Sequence, residues 1–278
     1  MGRLIHIALY KIFTRTRTYI GFGAIVVIVF LVHISFLWEG EAMHEFVMRE
    51  LSEAFYMQGN LMNGYLITYI TLNFLWVHVP LLVVIVTGDL LAGEAHGGTF
   101  RMVLTRPVER TRLVAVKFIA GMIYTFLLIL LYALLSLGIG LLLFGRGDLI
   151  VILGRVSIIP EGDLMWRFVM AFIYGFLSMA TVAALSILFS AMARNSLGPI
   201  LATMAVIIVF TLITTFQFSI FNPVKPFLLT TYLDSWQLFF SYRVDRAKII
   251  QEAVVLLLHC LIFFAGTIVY FKRKDILT

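Results

Sequence analysis

The run from Gly93 to Lys117, GEAHGGTFRMVLTRPVERTRLVAVK, decides how the rest of the chain is read. It carries Arg101, Arg106, Arg110, Arg112 and Lys117 against Glu94 and Glu109, and it lies between two very apolar runs. Basic loops between apolar spans are the signature of the cytosolic side of a membrane protein.

The composition around it fits that placement. Of 278 residues 62% are hydrophobic and only 13% charged, the mean hydropathy is +1.02, and soluble domains average about 25% charged. Apolar runs cover about 19–38, 64–88, 114–144, 166–192, 197–220 and 252–271. About 20 helical residues cross a hydrocarbon core of about 30 Å. None of the runs shows the alternating polarity of barrel strands, and a helix satisfies its backbone polar groups within one segment. The expected fold is an all-α integral membrane protein with one transmembrane domain, 1–278. It is a six-transmembrane-helix bundle with an N-terminal amphipathic helix, a cytosolic segment over 90–112 and a non-spanning helix before span six.

Residues 2–18 place Leu4, Ala8 and Ile12 at helical spacing among Arg3, Lys11, Arg15 and Arg17, which predicts an interfacial helix on the headgroups. A plain basic flank of the first span is the other reading. The stretch 39–63 is acidic, and its apolar residues recur at three- and four-residue steps, predicting a helix on the far surface. Pro80 should kink the second span. The third span exceeds what a bilayer needs and should tilt or protrude. The connection 145–165, with its glycines and Pro160, reads as a solvated loop. Only 193–196 separate spans four and five, a tight hairpin turn at Arg194. Between Asn222 and Gln251 an apolar stripe of Leu228, Leu229, Tyr232, Leu233, Trp236, Phe239 and Phe240 predicts an interfacial or re-entrant helix with Trp236 and Tyr242 at headgroup level.

Orientation follows from counting cations. The N-terminus, the quoted stretch, the 193–196 turn and the C-terminal tail hold 13 Lys and Arg, the opposite loops eight, and the acids sharpen the split to +9 against −3. The first side, with both termini, is therefore expected in the cytosol. This distribution also accounts for the net charge of +6 without nucleic acid as a partner; membrane lipid is the expected surroundings.

The chain lacks G-x-x-x-x-G-K-[ST], H-E-x-x-H and G-x-S-x-G. Its one cysteine, Cys260, allows no intrachain disulfide. His33, His78 and His259 lie within spans, where ionisable groups are functional candidates, or sit hydrogen-bonded between helices. No catalytic residue, metal site or cofactor is expected on this chain. A carrier driven by protons or sodium needs mid-membrane carboxylates, which are not evident.

Within 90–112, Gly97 and Gly98 allow close backbone approach. Arg106 precedes Pro107 and is biased out of the helical region, and Pro107 can open the next helix with Glu109 near its N-terminus. The result is a short helix, a bend and then the long third span. At these residues the sequence resembles the membrane subunit of ABC transporters of the type V exporter superfamily, whose segment reads approximately E-x-x-x-G-T-x-x-x-L-L-[ST]-x-P-[VI]-x-R with a Lys further on. Glu94, Gly98, Thr99, Leu104, Thr105, Pro107, Val108, Arg110 and Lys117 fill those places, and Val103 replaces the first Leu.

The resemblance implies a non-catalytic permease subunit, an exporter of the bacterial cytoplasmic (inner) membrane. It pairs with a second permease copy, identical or related, and with an ABC ATPase subunit that holds ATP and Mg. Glu94, Gly97, Gly98, Thr99, Arg101, Leu104, Arg106, Pro107 and Arg110 would form the coupling segment. Thr211, Thr214, Thr215 and Gln217 on span five would line a substrate path between the two copies, or the threonines would serve as helix-packing hydroxyls. A secondary carrier and a membrane-embedded enzyme using the histidines are the rival classes.

Overall fold

A computed structural model describes residues 1–52, 62–97, 109–152, 156–216 and 218–274, with backbone only for 41–52, 152 and 156. The chain runs α1 (Gly2–Phe13), α2 (Thr16–Ser52), α3 (Gly64–Trp76), α4 (Val79–Thr87), α5 (Asp89–His96), α6 (Arg110–Phe144), β1 (Leu149–Ile152) and β2 (Val156–Ile159). It continues with α7 (Leu164–Met192), α8 (Leu197–Thr215), α9 (Thr230–Leu233) and α10 (Arg246–Arg273), with short 3-10 turns at 161–163, 219–221, 225–227 and 234–240. Among the described residues six helical stretches are long and apolar enough to cross a membrane, so the chain is an all-α membrane bundle carrying a small antiparallel strand pair.

α7 is the central helix, packing on α4, α5, α6, α8 and α10. Its buried face is built from small residues, Ala171, Gly175, Ser178, Ala183 and Ala184, which let neighbouring backbones approach where lipid provides no hydrophobic drive between helices. Gly175 faces the Trp76 ring so closely that a Cβ there would lie 3.1 Å from it. By contrast α8 and α10 turn many large apolar side chains outward, among them Leu197, Leu201, Ile250 and Leu258.

The second span breaks where Pro80 dictates. A proline cannot donate to the carbonyl four residues back, here Trp76, and α3 ends at Trp76 while Pro80 sits in the first turn of α4. Another close contact joins α3 to α6. Cβ atoms at Gly64 and Gly140 would meet the opposing backbone at 2.4 and 2.9 Å, and the Thr68 hydroxyl donates to Gly64 O at 2.7 Å and to Ser136 O at 3.0 Å. Gly64 with Thr68, and Ser136 with Gly140, thus form two facing small-x-x-x-small steps. Asn63 caps α3, accepting from the amides of Tyr65 and Leu66. Gly145, at φ +69°, ends α6 in a conformation that favours glycine.

Several expectations change. The amphipathic N-terminal helix ends at Phe13, and Ala8 and Ile12 are buried against the bundle. The far-surface helix expected over 39–63 is, as far as Ser52, a continuation of α2. The solvated loop 145–165 instead contains the antiparallel pair β1 and β2, in register Leu149 with Ile159. Leu149, Val151 and Ile159 are buried; the signal was two short β-branched runs, LIVI and VSII. α8 stops at Thr215, short of 220. The stripe over 228–240 is indeed the buried face of its segment, but Trp236 is fully buried against Trp76, Tyr69 and Phe240. Helix packing claims it in place of headgroups, while Tyr242 is exposed. Arg167 fixes that segment: its guanidinium donates to Phe239 O at 2.9 Å and Ser241 O at 2.7 Å and pairs with Asp163 at 2.5 Å.

Candidate functional site

The four basic regions counted in the sequence meet at one end of the bundle. Arg110, at the start of α6, donates to Lys272 O at 3.0 Å and Lys274 O at 2.8 Å. Lys274 in turn donates to Ala191 O at 2.7 Å and Ala193 O at 3.1 Å. Each cation thereby satisfies the orphan carbonyls at the C-terminal end of a neighbouring helix, where positive charge is also favoured by the helix dipole. Burial and the nearby Arg194 hold the Lys274 ammonium below its ordinary range.

Next to these caps lies a charged junction. The second span runs past its expected end at Gly88 into α5, where Leu90, Leu91, Ala92 and Glu94 are buried; this stretch therefore belongs to the packed bundle, not to a surface element. The α5 N-terminus has no cap of its own side chains. The Ser190 hydroxyl of α7 accepts from the amides of Leu91 at 3.0 Å and Ala92 at 2.9 Å in its place, satisfying donors that a helix start leaves open.

Two carboxylates on α5 each hold two cations. Glu94 Oε1 accepts from Lys117 at 2.5 Å and Lys11 at 3.1 Å. Asp89 pairs with Arg15, with Arg17 at 2.8 Å, and accepts from the Ser196 hydroxyl. Gly93 makes room for this: a Cβ there would lie 2.4 Å from Asp89 Oδ1. Glu94 and Lys117 are both nearly covered, with 5% and 7% of their side chains exposed. A paired, hydrogen-bonded arrangement is what makes burial of such charges tolerable.

Of the coupling residues singled out in the sequence, Glu94, Gly97 and Arg110 are described, and Gly98, Thr99, Arg101, Leu104, Arg106 and Pro107 lie outside the described residues. Gly97 terminates α5, its amide donating to Gly93 O at 3.0 Å. Glu94 faces inward to Lys117 and Lys11, so its carboxylate is an internal clasp rather than part of a docking face. Thr211 and Thr215 are exposed on α8, and Thr214 donates to Thr211 O at 3.0 Å; Gln217 lies outside the described residues. Gly93, Lys11, Arg15, Arg17 and Ser196 were not singled out as site residues, because the pairings that gather them join positions as much as 107 apart.

The histidines are not gathered, and among the described residues no group of three His, Cys, Asp or Glu could hold a metal ion. His33 is buried with Nδ1 2.7 Å from Val29 O and Nε2 3.2 Å from Ser136 O. His259 lies similarly between Val255 O and Phe227 O, and His78 is exposed, 3.1 Å from Phe74 O.

The class these features define is a helical membrane protein with a charged junction at the end where α1 and the C-terminal end of α10 lie. The chain belongs to the family described as "Protein of unknown function (DUF2705)", which matches residues 24–277. It is also similar to the "Uncharacterized protein YhcI" of Bacillus subtilis (strain 168), with 24% identity over 205 residues, covering 70% of this chain and 64% of that relative.

Proposed function

We propose that the chain is the non-catalytic permease subunit of an ATP-driven ABC exporter in the bacterial cytoplasmic membrane, with both termini cytosolic. It works as one of two permease copies, identical or related, and the ATP and Mg²⁺ are held by a separate ATPase subunit docked on residues 97–109. The observation that carries this reading is the clasp between Glu94 and Lys117. These are the two ends of the motif on which the resemblance rests, and their ion pair joins the bases of α5 and α6 on either side of 97–109. A load on that connection reaches both helices together, and reaches α1 through Lys11. The Ser190 cap adds α7 to the same body. Substrate would pass between the copies, near α2, α3 and α8.

Thr99→Cys in a Cys260→Ala background tests the reading in intact cells. Thiol-directed cross-linking in membranes should join the introduced thiol to a chain that carries a P-loop and binds ATP. Labelling of that thiol by an impermeant reagent from outside, or cross-linking to no nucleotide-binding chain, contradicts it.

A further inference from the structure

We infer that the corner between α1 and α2 is a binding site for a phosphate-bearing anion, and that a phospholipid headgroup is its natural occupant. The corner holds a shallow, partly open cleft of about 20 Å³, lined by Lys11, Arg15, Arg17, Asp89, Glu94 and Lys117, so a ligand would sit on its rim and not inside it. Among the described residues its four cations face two carboxylates, which leaves two positive charges over. The geometry exposes that surplus. Asp89 and Glu94 show 4% and 5% of their side chains, whereas Lys11, Arg15 and Arg17 show 41%, 42% and 39%. An approaching ligand therefore meets a rim of three half-open cations with the acids beneath it.

Two further features point to an anion. Arg15, Arg17 and Thr18 bring the start of α2 to the cleft, and its first turn holds no acidic residue, so the partial positive charge of a 37-residue helix is added to the rim. Each planar guanidinium can donate two parallel N–H bonds to a pair of phosphate oxygens. Depth selects the lipid as the source. The long apolar run of α2 begins at Tyr19 and Ile20, both 57% exposed, and Tyr10 on α1 is 67% exposed. Exposed tyrosines beside an apolar boundary mark headgroup level, which places the cations where a lipid phosphate lies while its acyl chains run along α2. The inference rests on the membrane character of the chain and not on its pairing with an ATPase.

The test uses the full chain purified in a neutral detergent, titrated with phosphatidylglycerol, phosphatidylcholine or inorganic phosphate while the thermal unfolding midpoint is followed. Saturable stabilisation by phosphatidylglycerol, weak or none by phosphatidylcholine, is expected. Each cation removed should weaken binding about fivefold, so Lys11→Gln loses about that factor and Arg15→Gln with Arg17→Gln loses more than about tenfold. Arg3→Gln, on α1 outside the cleft, should bind as the unaltered chain does. Asp89→Asn removes an acid and should tighten binding severalfold, a sign that simple loss of structure would not produce. Phosphatidylglycerol stabilisation that resists millimolar inorganic phosphate assigns the site to lipid; full competition by phosphate at the same concentration overturns the lipid as occupant. Equal binding of phosphatidylglycerol by Lys11→Gln, by the double arginine variant and by the unaltered chain, or no discrimination between the two lipids, overturns the site itself.

Discussion

Replacing Gly64 with Ala should separate α3 from α6 and unfold the bundle at a much lower denaturant concentration. The new Cβ would lie 2.4 Å from Gly140 O, 2.5 Å from its carbon and 2.6 Å from the Leu141 nitrogen. All three are backbone atoms of a long helix and cannot rotate away, so the helices must part by about 1 Å to reach ordinary contact. That displacement stretches the bonds from Thr68 to Ser136 O at 3.0 Å, from Tyr132 to Thr71 O at 2.9 Å and from the Gly64 amide to Gly145 O at 2.9 Å, beyond useful length. Interhelical hydrogen bonds in membranes are worth about 0.6 kcal/mol each on average, hence about 2 kcal/mol for three. Overpacking adds about 1–3 kcal/mol, for a total of about 3–5 kcal/mol. The control is Gly138→Ala on α6, where a Cβ meets nothing within 4 Å, and where the gain in helix propensity should stabilise by about 0.5–1 kcal/mol. Equilibrium unfolding in mixed micelles, followed by tryptophan fluorescence, measures both. Gly64→Ala within about 1 kcal/mol of the unaltered chain would refute the close-approach argument.

Other outcomes follow from the charged groups. Glu94→Ala should cost about 3–5 kcal/mol in the same assay by stranding the Lys117 ammonium, while Glu94→Leu with Lys117→Met should regain most of it; additive losses would disprove the clasp. Arg167→Met frees the segment it holds through Phe239 O and Ser241 O, so amide exchange over 228–240 should accelerate by about tenfold or more with little change in α10. Gly93→Ala should displace the Asp89 carboxylate from Arg15 and Arg17, and a reporter thiol at Thr14 should become severalfold more reactive as α1 loosens.

The spanning helices were legible because crossing a bilayer demands length and apolarity, and both are read directly from a run such as 166–192. Pro80 likewise announced its break, since the missing amide is a property of the residue itself. The convergence of the basic regions at one end was legible as a count. What stayed hidden depended on partners distant in the chain. Asp89 and Glu94 gave no sign of being buried, because the cations that make burial tolerable come from α1, from the α1–α2 corner and from α6. Trp236 resembled an interfacial anchor in composition, and only the positions of Trp76 and Tyr69 reveal it as core. The strand pair 149–152 and 156–159 was masked by the glycines around it, although its short β-branched runs pointed to strands. Gly64 and Gly140 are ordinary residues singly and acquire meaning only from facing each other.

If this chain is moved by a partner's ATP hydrolysis through residues 97–109, the tagged chain purified in mild detergent should turn over ATP. The expected preparation contains a subunit with a P-loop in fixed ratio to the chain and shows vanadate-sensitive turnover, both lost in Gly98→Leu. A preparation that retains its native function with no ATPase subunit, or a Gly98→Leu chain with unchanged subunit ratio and turnover, would contradict it.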